Sequence, residues 1–89
     1  MTAKRVDKQA LRAAAHVLKP VVLLGAKGLT PAVIQEIDIA LTVHELIKIK
    51  LTGVEREDKQ ALLDTVCHEL HAILIQKIGH VAVLYRKNP

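Results

Sequence analysis

The chain has 89 residues, enough for one domain and one core, and the whole of 1–89 reads as a single unit. A hydrophobic fraction of 51% with 25% charged residues excludes disorder. The single aromatic, Tyr85, excludes folds that stack bases on several rings and aromatic cages for ligand cations. The net charge of +4 is unevenly spread. Residues 1–31 carry +5, residues 32–75 carry −4, and residues 76–89 carry +3. If the two ends meet in the fold, one face is positive and the other negative, which favours a polyanionic partner.

Residues 4–17 are rich in Ala, Lys, Arg and Leu and predict an amphipathic helix. Val6, Ala10, Ala13, Ala14 and Val17 fall on one side, with Leu11 and Leu18 at its edge. Lys4, Arg5, Lys8 and Arg12 fall on roughly the opposite arc as a cationic outer stripe. Lys19-Pro20 ends the helix, because proline disfavours helical backbone in the residue before it. Val21-Val22-Leu23-Leu24 suits a strand buried on both faces. Gly25-Ala26-Lys27-Gly28 is a turn, followed by Thr30 as N-cap and Pro31 at the first helical position. That helix runs over 31–43 through Val33, Ile34, Ile37, Ala40 and Leu41.

Residues 46–51 alternate, with Ile47, Ile49 and Leu51 on one face and Lys48 and Lys50 on a wetter one. Gly53 lies in the connection to a helix over 56–71, whose apolar positions are Ala61, Leu62, Val66 and Leu70. Two β-rich runs, 73–78 and 81–86, flank Gly79-His80, which fits a type II′ hairpin. The order α-β-α-β-α-β-β predicts an α/β domain with a four-stranded mixed sheet, its last strand pair antiparallel.

The Gly25–Gly28 turn is the first chemical candidate. Glycines let a sugar-phosphate backbone approach the main chain, the following helix N-terminus attracts anions, and Lys27 adds a point charge. G-x-x-G also marks ordinary turns, and it is neither a Walker A loop nor a G-x-G-x-x-G dinucleotide motif. No nucleotide cofactor is expected. Lys4, Lys8, Arg12 and Lys19 join the loop in one patch if the first helix packs beside it.

The histidines offer little. His44-Glu45-Leu46-Ile47-Lys48 lacks the second histidine of a zincin motif, and His68 and His71 lack further converging ligands, so no metal is expected. There is no serine, Cys67 falls inside a helix, and no acid pair faces across a cleft, so no enzyme is expected. One cysteine cannot form an intrachain disulfide, which points to a reducing compartment. With no signal peptide and no apolar run near 20 residues, a soluble cytoplasmic protein is expected, monomeric, without a membrane or small-molecule partner.

Three blocks, Lys19-Pro20-Val21-Val22-Leu23-Leu24-Gly25-Ala26-Lys27-Gly28-Leu29-Thr30, His44-Glu45-Leu46-Ile47-Lys48-Ile49-Lys50 and Val83-Leu84-Tyr85-Arg86, carry a resemblance. The chain resembles the CRM domain (chloroplast RNA splicing and ribosome maturation) in its bacterial stand-alone YhbY form, over nearly its whole length. The resemblance implies a fold similar to the C-terminal domain of translation initiation factor three. It implies a G-x-x-G loop likened to the one with which KH domains clamp nucleic-acid backbone. Bacterial members associate with precursors of the large ribosomal subunit, and plant members act in organellar intron splicing. The family often has Asn or a similar polar residue where Lys27 stands, a departure that should raise affinity for phosphate.

The expectation is therefore a non-catalytic protein that binds ribosomal RNA in large-subunit precursors. The residues expected to carry binding are Gly25, Ala26, Lys27, Gly28, Lys4, Lys8, Arg12 and Lys19, with Arg86 extending the basic face. The alternative is a protein-interaction adaptor that docks on a ribosomal or other ribonucleoprotein protein through the acidic middle, with binding that survives nuclease.

Overall fold

The computed structural model describes residues 7–88. Its elements are α1 (Lys8–Ala15), β1 (Val22–Leu23), α2 (Pro31–His44), β2 (Leu46–Lys50), α3 (Arg56–Leu70), β3 (Ile73–Ile78) and β4 (Val81–Tyr85). The strands form one sheet in the order β1-β2-β4-β3. β1 is parallel to β2, and β4 is antiparallel to both β2 and β3, so the sheet is mixed as expected.

The sheet lies between two unequal layers. α2 and α3 cover one face, where Ile37, Leu41, Leu63 and Val66 pack on Ile47, Ile49, Ala82 and Leu84 in the larger core cluster. α1 covers part of the other face, where Leu11, Ala15 and Leu18 meet Ile75, Val83 and Tyr85. The alternation in β2 divides as expected: Ile47 and Ile49 are buried under α2 and α3, and Leu46, Lys48 and Lys50 take the α1 side.

Local chemistry sets the helix ends. Asp7 has extended backbone and its carboxylate accepts from the Ala10 N–H at 3.1 Å, so α1 starts at Lys8 rather than inside a longer helix. Thr30 Oγ1 accepts from the Val33 N–H at 3.2 Å, with Pro31 first in α2. α3 ends on His71 in the left-handed region, at φ 55° and ψ 41°. A side chain there is strained, so His71→Gly should stabilise the protein by about 0.5–1 kcal/mol in urea unfolding. The hairpin has positive φ at Gly79 and not at His80, consistent with the expected turn.

Three packing expectations are overturned. First, α1 is rotated from its predicted orientation. Leu11, Ala15 and Leu18 face the sheet, while Ala10, Ala13, Ala14 and Val17 are exposed, Val17 at 86%. Alanine methyls bury too little area to orient a helix against two leucines. Second, β1 is buried on one side only: Val22 and Leu24 are buried but Leu23 is 67% exposed, because α1 packs on β2 and β3 and leaves the β1 edge uncovered. Third, Ala61 is exposed on α3 and Leu63 is fully buried. A bulge between Leu74 and Gln76, not foreseen, breaks the alternation of β3, so that the sequence neighbours Ile75 and Gln76 both lie on the α1 side.

Candidate nucleic-acid interface

Three connections meet at one end of the sheet. Leu23 and Val81 both lie in register with Lys50, so the turn after β1, the connection after β2 and the β3–β4 hairpin crowd together there. The Leu24 N–H donates to the Lys50 carbonyl at 2.8 Å, after which the chain leaves the sheet. The Gly28 N–H then donates to the Gly25 carbonyl at 2.9 Å and closes a four-residue turn. Ala26 and Lys27 stand exposed at its tip, and Gly28 has φ +66°. A Cβ built on Gly25 or Gly28 would meet nothing within 4 Å among the described residues, so the outer side of the turn is open to an approaching backbone.

Beneath the turn sits Gly53, which sequence reasoning placed only in a connection. Its N–H donates to the Leu24 carbonyl at 3.1 Å. A Cβ there would lie 2.1 Å from Gly25 C and 2.4 Å from Ala26 N. The β2–α3 connection is thus pressed, backbone to backbone, against the underside of the turn. Only a pairing of distant segments brings this about, and the lone sequence signal was a glycine one strand away.

Basic side chains gather on the α1 side of the sheet. Arg12 of α1 and His16, which caps its end, line a groove of about 250 Å³ together with Lys48, Gln76 and Ile78. On the other flank of α1, Lys19 lines a second groove with Lys48, His44 and Val21. Lys48 belongs to both, so the structure brings Arg12 and Lys19 to either side of one strand lysine. Lys50 is exposed two residues further along the same face and is bonded through its carbonyl to Leu24, immediately before the turn. Lys48 and Lys50 therefore carry the positive surface from α1 toward Lys27. The sequence alternation had placed them on a wet face; what it did not reveal was that α1 lies on the same side. Arg12 lies at the seam between helix and sheet rather than on an outer stripe. Lys8 is exposed at the start of α1, and Lys4 lies outside the described residues.

Arg86 is withdrawn from this surface. Tyr85, the last residue of β4, pairs with Leu46 at the start of β2, so Arg86 sits at the opposite end of the sheet from the glycine turn. It is only 19% exposed along its side chain, and both of its terminal guanidinium nitrogens are engaged. One guanidinium nitrogen donates to Asp38 Oδ1 at 2.6 Å and to the Leu70 carbonyl at 3.0 Å. The other donates to the Asp38 carbonyl at 3.0 Å and to Thr42 Oγ1 at 2.9 Å. The planar fork ties the tail to α2 and α3 and leaves little to offer a phosphate.

Two other candidates stay chemically quiet. Burial, and secondarily Asp64, raise the pKa of the Cys67 thiol, which keeps it protonated and a poor nucleophile. Among the described residues no group of three or more His, Cys, Asp or Glu side chains could hold a metal ion. No helix among them is long and apolar enough to cross a membrane.

An open glycine turn beside a lysine-bearing sheet face, on a three-layer α/β frame, defines a small domain with a surface suited to a polyanion. The chain belongs to the CRS1/YhbY (CRM) domain family, whose model matches residues 4–86. A relative named RNA-binding protein from Haemophilus influenzae is 50% identical over 80 residues, covering 90% of this chain and 81% of its own length. A probable RNA-binding protein of Pseudomonas aeruginosa is 44% identical over 89 residues, 100% of this chain and 86% of the relative. The solution structure of a hypothetical protein from Staphylococcus aureus superposes with a TM-score of 0.80 at 33% identity, covering 92% of this chain and 85% of that one.

Proposed function

We propose that the protein is a non-catalytic RNA-binding protein that contacts ribosomal RNA in precursors of the large ribosomal subunit. It would act in the cytoplasm, through the Gly25–Gly28 turn and the adjoining basic face. The observation that carries this reading is the turn itself. It is open on its outer side, tipped by exposed Lys27, and continuous through Lys50 and Lys48 with Arg12 and Lys19. The names of the relatives support the RNA-binding part. The lack of base-stacking rings favours recognition of backbone and shape over sequence.

Lys27→Glu should weaken binding to a structured RNA about tenfold, equivalent to about 1.4 kcal/mol, in filter-binding assays on folded protein. Wild-type affinity should fall steeply with salt, as counterion release requires. Unchanged affinity in Lys27→Glu removes the turn from the interface. The cellular role is tested by gradient sedimentation of wild type beside Gly28→Asp, with circular dichroism to verify folding. Wild type should travel with large-subunit precursors and the variant should remain at the top. Equal sedimentation of both would instead favour docking through another surface.

A further inference from the structure

A second cluster of cations lies at the same end of the sheet as the glycine turn, on the α3 side. Arg56 and Lys59 of α3, Lys77 of β3 and His80 of the hairpin line a cleft of about 440 Å³ with Gly79. All four side chains are basic, and among the described residues no acid lines the cleft. Arg56 and Lys59 are three residues apart and share one side of α3. Glu57 and Asp58, the acids of the first turn, each lie at least 100° around the helix from both.

Lys59 is the unusual member. It is only 6% exposed, the one charged side chain in the buried class among the described residues. Its ammonium donates to the Gly79 carbonyl at 3.1 Å and to His80 Nδ1 at 2.9 Å. No carboxylate lies within 4 Å of it among the described residues. A buried cation normally has a counter-charge, because desolvation without one is expensive. An ammonium has three donors and no acceptor, so His80 Nδ1 accepts and the imidazole proton sits on Nε2. Lys59 retains a third donor, and the fixed tautomer of His80 adds an N–H on the far side of its ring. Arg56 and Lys77 are exposed at the rim of the cleft.

We propose that this cleft binds a phosphate group, specifically a backbone phosphodiester of the RNA. The Lys59 ammonium and His80 Nε2–H are its inner donors, and Arg56 and Lys77 are its outer charges. The proposal rests on the RNA-binding reading above. It adds a second contact separated from the first by the β2–α3 connection. The Leu51 N–H donates to the His80 carbonyl at 2.6 Å, and Gly53 abuts Gly25, so this one connection touches both the hairpin and the turn. An RNA strand crossing this end of the sheet would meet Lys27 on one side and the cleft on the other.

The test measures binding of a mixed-sequence stem-loop RNA of about 30 nucleotides across a salt series. It compares wild type, Lys27→Glu and the double variant Arg56→Gln/Lys77→Gln, whose exposed positions should not disturb folding. Lys59→Met, which keeps the buried stem, is added if it folds. The double variant should bind about five- to tenfold more weakly, and its log–log salt slope should be shallower by about 0.7–0.9, the value for one phosphate. Its effect should add to that of Lys27→Glu. Wild-type affinity and slope in the double variant, with Lys27→Glu still weakened, overturn the cleft and leave the turn standing. The reverse pattern supports the cleft and removes the turn. In parallel, the His80 imidazole resonances are followed by NMR with inorganic phosphate and with the RNA. A response to both supports the backbone contact, whereas a response to phosphate alone makes this a free-anion site and overturns it. An absence of any RNA binding by wild type overturns both readings.

Discussion

Gly53→Ala is expected to lose about 3 kcal/mol of stability, toward the upper end of what overpacking costs. The added methyl would sit 2.1 Å from Gly25 C, 2.4 Å from Ala26 N and 2.6 Å from Gly25 Cα. All three are backbone atoms, so no side-chain rotation relieves the clash. Either the β2–α3 connection or the glycine turn must move, and the bond from the Gly53 N–H to the Leu24 carbonyl opposes their separation. If the turn contacts RNA, the same substitution should weaken RNA binding about tenfold, or 1.4 kcal/mol, without any change of charge. Gly25→Ala is the control for stability alone, since its methyl meets nothing within 4 Å among the described residues. Urea unfolding of both variants and filter binding of Gly53→Ala check these outcomes. Equal stability of the two would show that the close approach imposes no constraint.

Arg86→Ala should cost about 2–3 kcal/mol while leaving RNA affinity unchanged. Hydrogen bonds to a charged group are each worth about 1.5–3 kcal/mol when one partner is removed. Four are lost here, but Asp38 is about half exposed, so water replaces part of that loss. The neighbouring backbone magnifies the effect. Glu45 has φ 64° and ψ −48°, a region costly for a side-chain-bearing residue. It is held there by the Arg86 N–H to its carbonyl at 2.9 Å and the Asn88 N–H to its carboxylate at 3.0 Å. Loosening the tail frees Glu45 to relax and weakens the junction between α2 and β2. Arg86→Lys should recover only a small part of the loss, because an ammonium cannot reproduce the fork. A double-mutant cycle with Asp38→Ala measures the coupling. Reduced RNA affinity in a fully stable Arg86→Ala protein would return this residue to the interface.

Much of the frame was legible in the chain because it rests on local chemistry. Thr30-Pro31 marks the start of α2, Gly79 marks the hairpin, and the alternation from Ile47 to Lys50 assigns β2 its two faces. The glycine turn could be found for the same reason, since its special residues are consecutive. Predictions failed where a decision depended on what lies opposite. α1 has apolar residues on more than one side, and its rotation was settled by which of them met Ile75 and Val83. β1 reads as uniformly apolar, yet its outer face is bare because α1 stops short of it.

The number and order of elements, the glycine turn and the excess of cations at the two ends of the chain are legible in the residues alone. These follow from propensity, capping and periodicity, which act within a few residues. Long-range packing settles which cations are free and which are bound. It turned Arg86 inward onto Asp38, set Lys48 and Lys50 beside Arg12 and Lys19, and buried Lys59 against His80. It also seated Gly53 under the turn. Each of these depends on contacts between segments far apart in the chain, whose partners are chosen by sheet register and layer packing.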